Sequence, residues 1–325
     1  MMANKSHLAI LLFSAFIHAS QTCHADWVPY DDFNDGIRDN QKWHYAYWQG
    51  GKAPYESKGK LILSVGGGTG SVRLPLEVEL KQAGIDSSEE KNHSLIGIKD
   101  PEITGVRLDI ALSKSAPLES VIFLGILERA GPKKISHAGI TLGNWDDGVG
   151  LDFEKELWEK GDSLVQKSKF LAAKLGEPYR VTMLRDAGMI KVFNDTTLVD
   201  TYPSAGKQIG YFIAAKNNEG LPMSATVDNV QVYYPDSAPG RITSDLSKLS
   251  LNRGKPIPPY TVRANFMAKN FSTLKLPDGL KLNTNGVISG TPTKAGTYKV
   301  TITAKKMKGG KAVKTAKATK VFEIK

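Results

Sequence analysis

The feature that most constrains this chain is a period of two. Between Leu61 and Tyr234, most runs of apolar residues fall at every second position, as in 61–65, 72–80 and 105–112. Side chains alternate across a strand, so each such run predicts a strand with one dry face. Pro75 marks an edge or irregularity in the second run, because proline cannot donate to a sheet ladder. A further strand is predicted at 121–127. The clearest local unit is 179–185, a turn at Asp186-Ala187-Gly188, and 189–193; Asn194-Asp195 then turns the chain toward 196–201. Strands at 209–215 and 225–234 follow. One stretch, 163–175, reads as a short outer helix. So many antiparallel strands over about 200 residues imply an all-β sandwich or barrel.

The start of the chain reads as an export signal. Lys5 precedes the apolar run 8–19, which is shorter than the roughly 20 residues needed to span a bilayer. Cys23-His24-Ala25 has the small-x-small pattern of a cleavage site, predicting a cut after Ala25. That cut removes the only cysteine, so the mature chain would have no thiol nucleophile, disulfide or thiolate metal site. A secreted, periplasmic or cell-surface address follows.

Turn formers cluster at Pro235-Asp236-Ser237-Ala238-Pro239-Gly240 and predict a boundary after Pro235. Residues 26–235 hold 24 basic and 29 acidic residues, net −5; residues 236–325 hold 18 basic and 4 acidic, net +14. The overall charge of +10 therefore comes from the C-terminal piece. Such asymmetry points to a basic module that meets an anionic surface.

Two resemblances lie on specific residues. Asp31-Asp32-Phe33-Asn34-Asp35-Gly36 followed by Trp43 and Gly59-Lys60-Leu61-Ile62-Leu63 resembles the opening of bacterial concanavalin A-like (laminin G-like) jelly rolls. Tyr179-Arg180-Val181, Gly210-Tyr211-Phe212 and Asp228-Asn229-Val230-Gln231-Val232 match its closing strands. This resemblance implies an antiparallel jelly-roll sandwich over 26–235, with Trp43 in its core. Leu276-Pro277-Asp278-Gly279-Leu280, Asn285-Gly286-Val287-Ile288-Ser289-Gly290-Thr291-Pro292 and Ala295-Gly296-Thr297-Tyr298 resemble the immunoglobulin-like repeat of bacterial surface proteins. That implies a β-sandwich over 236–325, a spacer or adhesive module without a shared active site. Asn285-Gly286 reads as a tight hairpin turn, since both residues tolerate positive φ.

Several catalytic signatures are absent: the G-x-S-x-G elbow, the P-loop, H-E-x-x-H and the dinucleotide fingerprint. Gly66–Gly70 reads as a flexible glycine-rich loop. Asp152-Phe153-Glu154-Lys155-Glu156 is the one catalytic candidate. On a strand, its three carboxylates share a face, as retaining glycoside hydrolysis requires of a nucleophile and an acid about 5 Å apart. Jelly-roll glucanases resembling this fold carry Glu-x-Asp-x-(x)-Glu; here the central Asp and the first Glu are exchanged, which argues against catalysis. A lyase reading of Gly210–Ala215 lacks the cationic and basic partners for proton abstraction.

Binding fits the residues better. Sugars are held by aromatic faces and side-chain hydrogen bonds. Trp43 is assigned to the core, leaving His44 and Trp48 as surface candidates, together with Trp145 and Asp146 in a polar turn. The jelly-roll resemblance also implies a structural calcium ion on Asp32 (or Asp31), Asp228 and the Gly59 carbonyl, the oxygen donors that this ion takes. Lys305, Lys306, Lys308, Lys311, Lys314, Lys317 and Lys320 surround a Gly309-Gly310 turn. Their period of three sends them to both sides of a strand, where they either protect an edge or attract acidic polysaccharide or anionic lipid. No aromatic residues interleave them, which excludes nucleic acid. The chain is thus expected to be a secreted or surface carbohydrate-binding or adhesion protein without catalysis. Its partner would be a polysaccharide or cell-surface glycan, anionic ones included. The alternatives are a glycoside hydrolase and a structural envelope protein.

Overall fold

A computed structural model describes residues 27–34, 42–47, 50–68, 93–131, 134–159 and 162–325. The export signal, the strand expected at 72–80 and Trp48 lie outside the described residues. Every element among the described residues is a strand. No helix there is long and apolar enough to cross a membrane.

The first strands are β1 (Trp27–Asp31), β2 (Trp43–Tyr47), β3 (Gly50–Gly51), β4 (Tyr55–Ser57), β5 (Lys60–Gly68) and β6 (His93–Ile98). Then come β7 (Gly105–Leu112), β8 (Ser120–Gly131), β9 (Lys134–Trp145), β10 (Gly148–Glu159) and β11 (Asp162–Ala172). The body closes with β12 (Tyr179–Asp186), β13 (Met189–Asn194), β14 (Thr197–Pro203), β15 (Lys207–Asn217) and β16 (Met223–Tyr233).

These form an antiparallel jelly-roll sandwich of two sheets. One runs β14-β13-β12-β7-β16-β5-β3, with β1 on β16 and β4 on β5. The other runs β11-β10-β9-β8-β15-β6-β2. Alternation explains the core. Ile122, Leu124, Ile126, Ile140, Leu142 and Phe153 from the second sheet meet Leu61, Leu63, Leu108, Ile110, Val181 and Val227 from the first, all essentially without exposure. Each such side chain contributes roughly 1.5–3 kcal/mol by leaving water. The hairpin between β12 and β13 turns on Ala187 and Gly188, both at positive φ (48° and 76°), as a two-residue turn of primed type requires. Trp43 is buried as expected, and its indole N–H donates to Asp31 Oδ2 at 2.8 Å.

Three local expectations are corrected. Residues 163–175 are not helical: β11 pairs along its length with β10. An open sheet edge takes up the segment's backbone groups, and this tertiary pairing overrides a weak helical preference. Gly66–Gly68 belong to β5 rather than to a loop, whereas 69–70 lie outside the described residues. At the Asn285-Gly286 turn only Gly286 takes positive φ (87°). The Asn283 side-chain oxygen accepts the Asn285 and Val287 N–H groups at 3.0 and 2.9 Å, so the loop is tied from its first residue.

The C-terminal module is an immunoglobulin-like sandwich with its own core, including Val262, Phe266, Ile288, Val300, Ile302 and Phe322. Its strands are β17 (Leu249–Leu251), β18 (Tyr260–Thr261), β19 (Asn270–Thr273), β20 (Leu280–Leu282), β21 (Val287–Gly290), β22 (Gly296–Lys308) and β23 (Lys311–Ile324). They form sheets β17-β23-β22-β19 and β18-β21-β20, with β17 parallel to β23. The lysine-rich segment is the β22–β23 hairpin; β19 pairs only with 302–305 of β22 and β17 only with 322–324 of β23, so all of these lysines but Lys305 lie on hairpin edges beyond those partners. Lys320 is buried, its Nζ donating to the Asp245 carbonyl at 2.9 Å and lying 4.4 Å from the Tyr260 ring centre. Arg241 joins the modules: it donates to Glu102 at 2.8 Å and to Asp100, and its guanidinium lies 5.5 Å from the centre of the Tyr234 ring.

Candidate functional site

The second sheet turns one face to the core and one away from it. On the outward face, register aligns side chains into rows. One row runs His44, Gly97, Phe212, Gly125, Gly139 and Glu154, from β2 to β10. The neighbouring row runs Leu95, Ala214, Phe123, Thr141, Asp152 and Phe170. Gly143 and Gly150 stand opposite each other in the row beyond.

Rings fill the space these glycines leave. A Cβ on Gly143 would sit 2.2 Å from the Trp145 ring, and one on Gly150 would sit 2.2 Å from the Phe170 ring. The facing glycines therefore let both aromatic side chains lie on the sheet. Their centres are 6.2 Å apart at 58°. Trp145 closes β9 and Asp146-Asp147 form the two-residue tip before β10. The segment before β8 is tied alongside: Asn144 Nδ2 donates to the Ala116 carbonyl at 2.9 Å, and Glu119 N–H to the Asn144 carbonyl at 2.7 Å. Together Glu119, Trp145, Asp146, Asp147, Asp152 and Phe170 line an open cleft of about 290 Å³. Two aromatic surfaces rimmed by carboxylates, with no cation among the described lining residues, suit a neutral polyhydroxyl ligand.

The structure thus brings Trp145, Asp146 and Asp152 together. Glu154 lies one row along the same face, about 6.7 Å from Asp152 by strand geometry. Glu156 follows in register opposite His137; its side chain lies outside the described residues. Lys155 is turned elsewhere, donating to the Pro203 carbonyl at 2.7 Å. His44 is on β2, four strands from β9, about 19 Å at the usual strand spacing. Burial, with Lys99 adding to it, lowers its pKa. Sequence reasoning missed Glu119, Phe170 and the two glycines. It also missed His137, buried between Phe123 and Phe212, whose pKa burial lowers to about 4.

Asp31, one of the two alternatives for calcium, is committed elsewhere: it accepts from the Trp43 indole and the Phe33 N–H and lies 3.5 Å from Lys42 Nζ. The pairing of Asp31 with Val230 carries the exposed Asp32 toward Asp228, and the Asn34 side-chain oxygen abuts Gly59. These are hard oxygen donors of the kind calcium takes. Among the described residues, however, no group of three or more His, Cys, Asp or Glu side chains converges.

Residues 229–324 match the sequence family described as "Putative Ig domain". No curated relative matches in sequence. Similar solved structures include porphyranase B from Zobellia galactanivorans, 11% identical, covering 66% of this chain and 95% of that one, TM-score 0.45. The catalytic domain of an endo-1,3-β-glucanase from Thermotoga petrophila is 10% identical over 66% of this chain and 100% of its own, TM-score 0.43. The κ-carrageenase of Pseudoalteromonas carrageenovora is 12% identical over 68% and 99%, TM-score 0.43.

Proposed function

We propose that this is a secreted or surface carbohydrate-binding protein, without catalysis, whose jelly roll holds a neutral glycan across the Trp145–Phe170 cleft. The observation behind it is the ring pair lying on facing glycines with Asp146, Asp147 and Asp152 at the rim. Rings cover the C–H faces of a sugar while carboxylates accept hydrogen bonds from its hydroxyls. Retardation in gels containing neutral β-glucans tests this. Trp145→Ala should weaken binding at least tenfold, as central Trp anchors do. Unaltered retardation of that variant would refute the site.

A glycoside hydrolase is the second reading, favoured by Asp152 and Glu154 on one face beside the cleft. It requires reducing-sugar release from the same glucans, lost in Glu154→Gln. We further assign the module boundary to the Pro235–Gly240 turn cluster, and a structural calcium to Asp32, the Gly59 carbonyl and Asp228. A melting temperature that chelator leaves unchanged and added calcium does not raise would remove the ion.

A further inference from the structure

The four-stranded sheet of the C-terminal module also has two faces. Val300, Ile302 and Ala304 on β22, with Ala316, Lys320 and Phe322 on β23, turn inward. The residues between them point out. On β22 these include Lys299, Thr301, Thr303 and Lys305; on β23 they include Thr315, Lys317 and Thr319. Thr301 stands opposite Thr319, Thr303 opposite Lys317 and Lys305 opposite Thr315. Strand β19 extends the tile with Ser272 beside Thr303 and Asn270 beside Lys305. The one acid on this face, Glu323, lies at its far end, 3.1 Å from Lys248 Nζ. Lysines 306, 314 and 320 contribute nothing here, because they share the inward side.

We propose that this face binds a linear acidic polysaccharide. It is a second site, on a different module and for a different charge class from the neutral-glycan cleft. Charge complementarity carries the assignment: the module has net charge +14, and its broadest exposed sheet face presents three lysines and no unneutralised acid. Strand geometry sets Lys317 about 8 Å from Lys305 and about 14 Å from Lys299, an extended row rather than a point cluster. The hydroxyls and amide between them exchange hydrogen bonds with sugar hydroxyls. A lipid surface fits less well. Insertion needs a cluster of exposed apolar side chains, and the outward positions of β23 offer only Val313, exposed at the hairpin end, and the half-buried Val321, with Thr315, Lys317 and Thr319 between them.

Affinity electrophoresis of the full chain through polygalacturonate is the test. Retardation is expected at low salt and should fade above about 0.3 M, where screening shortens the reach of charge. Changing Lys299, Lys305 and Lys317 together to Gln should weaken retention about tenfold, roughly a factor of two for each exposed charge pair. The same substitutions at the exposed Lys255, Lys281 and Lys294 remove equal charge elsewhere and should leave most of the binding. Thr301→Glu, which puts a carboxylate at the centre, should weaken binding without altering the melting temperature. No retardation at low salt, equal weakening by both triple variants, or tighter binding to phosphatidylserine vesicles than to polygalacturonate would each overturn the proposal. Trp145→Ala should leave polygalacturonate binding intact, so failure here is distinct from failure of the glucan site.

Discussion

His137 should make this protein acid-sensitive over a narrow window. Its ring is 5% exposed, packed 5.8 Å from Phe123 and 5.5 Å from Phe212. Burial lowers its pKa from 6.5 to about 4. Above pH 6.5 the imidazole is neutral in both the folded and the unfolded chain, so stability is independent of pH there. As pH falls below 6.5 the unfolded chain takes up a proton that the folded one refuses, and stability declines until the folded pKa is reached. The loss is about 2 kcal/mol at pH 5 and about 3 kcal/mol at pH 4. Urea unfolding at pH 7.5, 6, 5 and 4.5 would measure it. Carboxylates also titrate near the acid end, so the informative quantity is the difference from His137→Leu. That variant should start near or somewhat below the wild type at neutral pH and overtake it as pH falls. Parallel curves for the two proteins would refute the argument. So would a folded His137 pKa above 6.5 by ring proton resonances, which would mean that Glu156, opposite on β10, outweighs burial.

Gly143→Ala should push the Trp145 ring off the sheet and cost at least tenfold in glucan retardation while the fold survives, since the clash is with the end of a side chain. Arg241→Ala removes contacts to Asp100, Glu102 and Tyr234, and at 39% exposure should cost about 1–2 kcal/mol in thermal unfolding and open the 235–241 segment to protease. Glu128 is buried and accepts from Arg185, Ser204 and the Ala205 N–H; Glu128→Gln should destabilise by about 2–4 kcal/mol in denaturant unfolding. Lys320→Met should be neutral or stabilising, because an apolar side chain of similar length avoids desolvating an ammonium.

The strands of the body could be read ahead of the structure because alternation is a property of near neighbours. Runs such as 105–112 and the 179–193 hairpin state their inward faces within a few residues. The immunoglobulin-like repeat was legible for the same reason, through its turn residues. Residues 163–175 were misread because nothing local reveals that β10 offers them an open edge. The candidate site has the same limit. Trp145 and Asp146 are visible as a polar turn, but Glu119 and Phe170 reach the cleft only through strand pairing. The space beneath the rings depends on Gly143 and Gly150 meeting across two strands. The lysine-rich hairpin shows the division most plainly. Composition alone determined that the C-terminal piece is basic, but one step of side-chain parity decided that Lys320 is buried while Lys317 faces water. Periodicity travels along the chain, whereas register is set by distant segments closing on one another, and no window of sequence contains both partners.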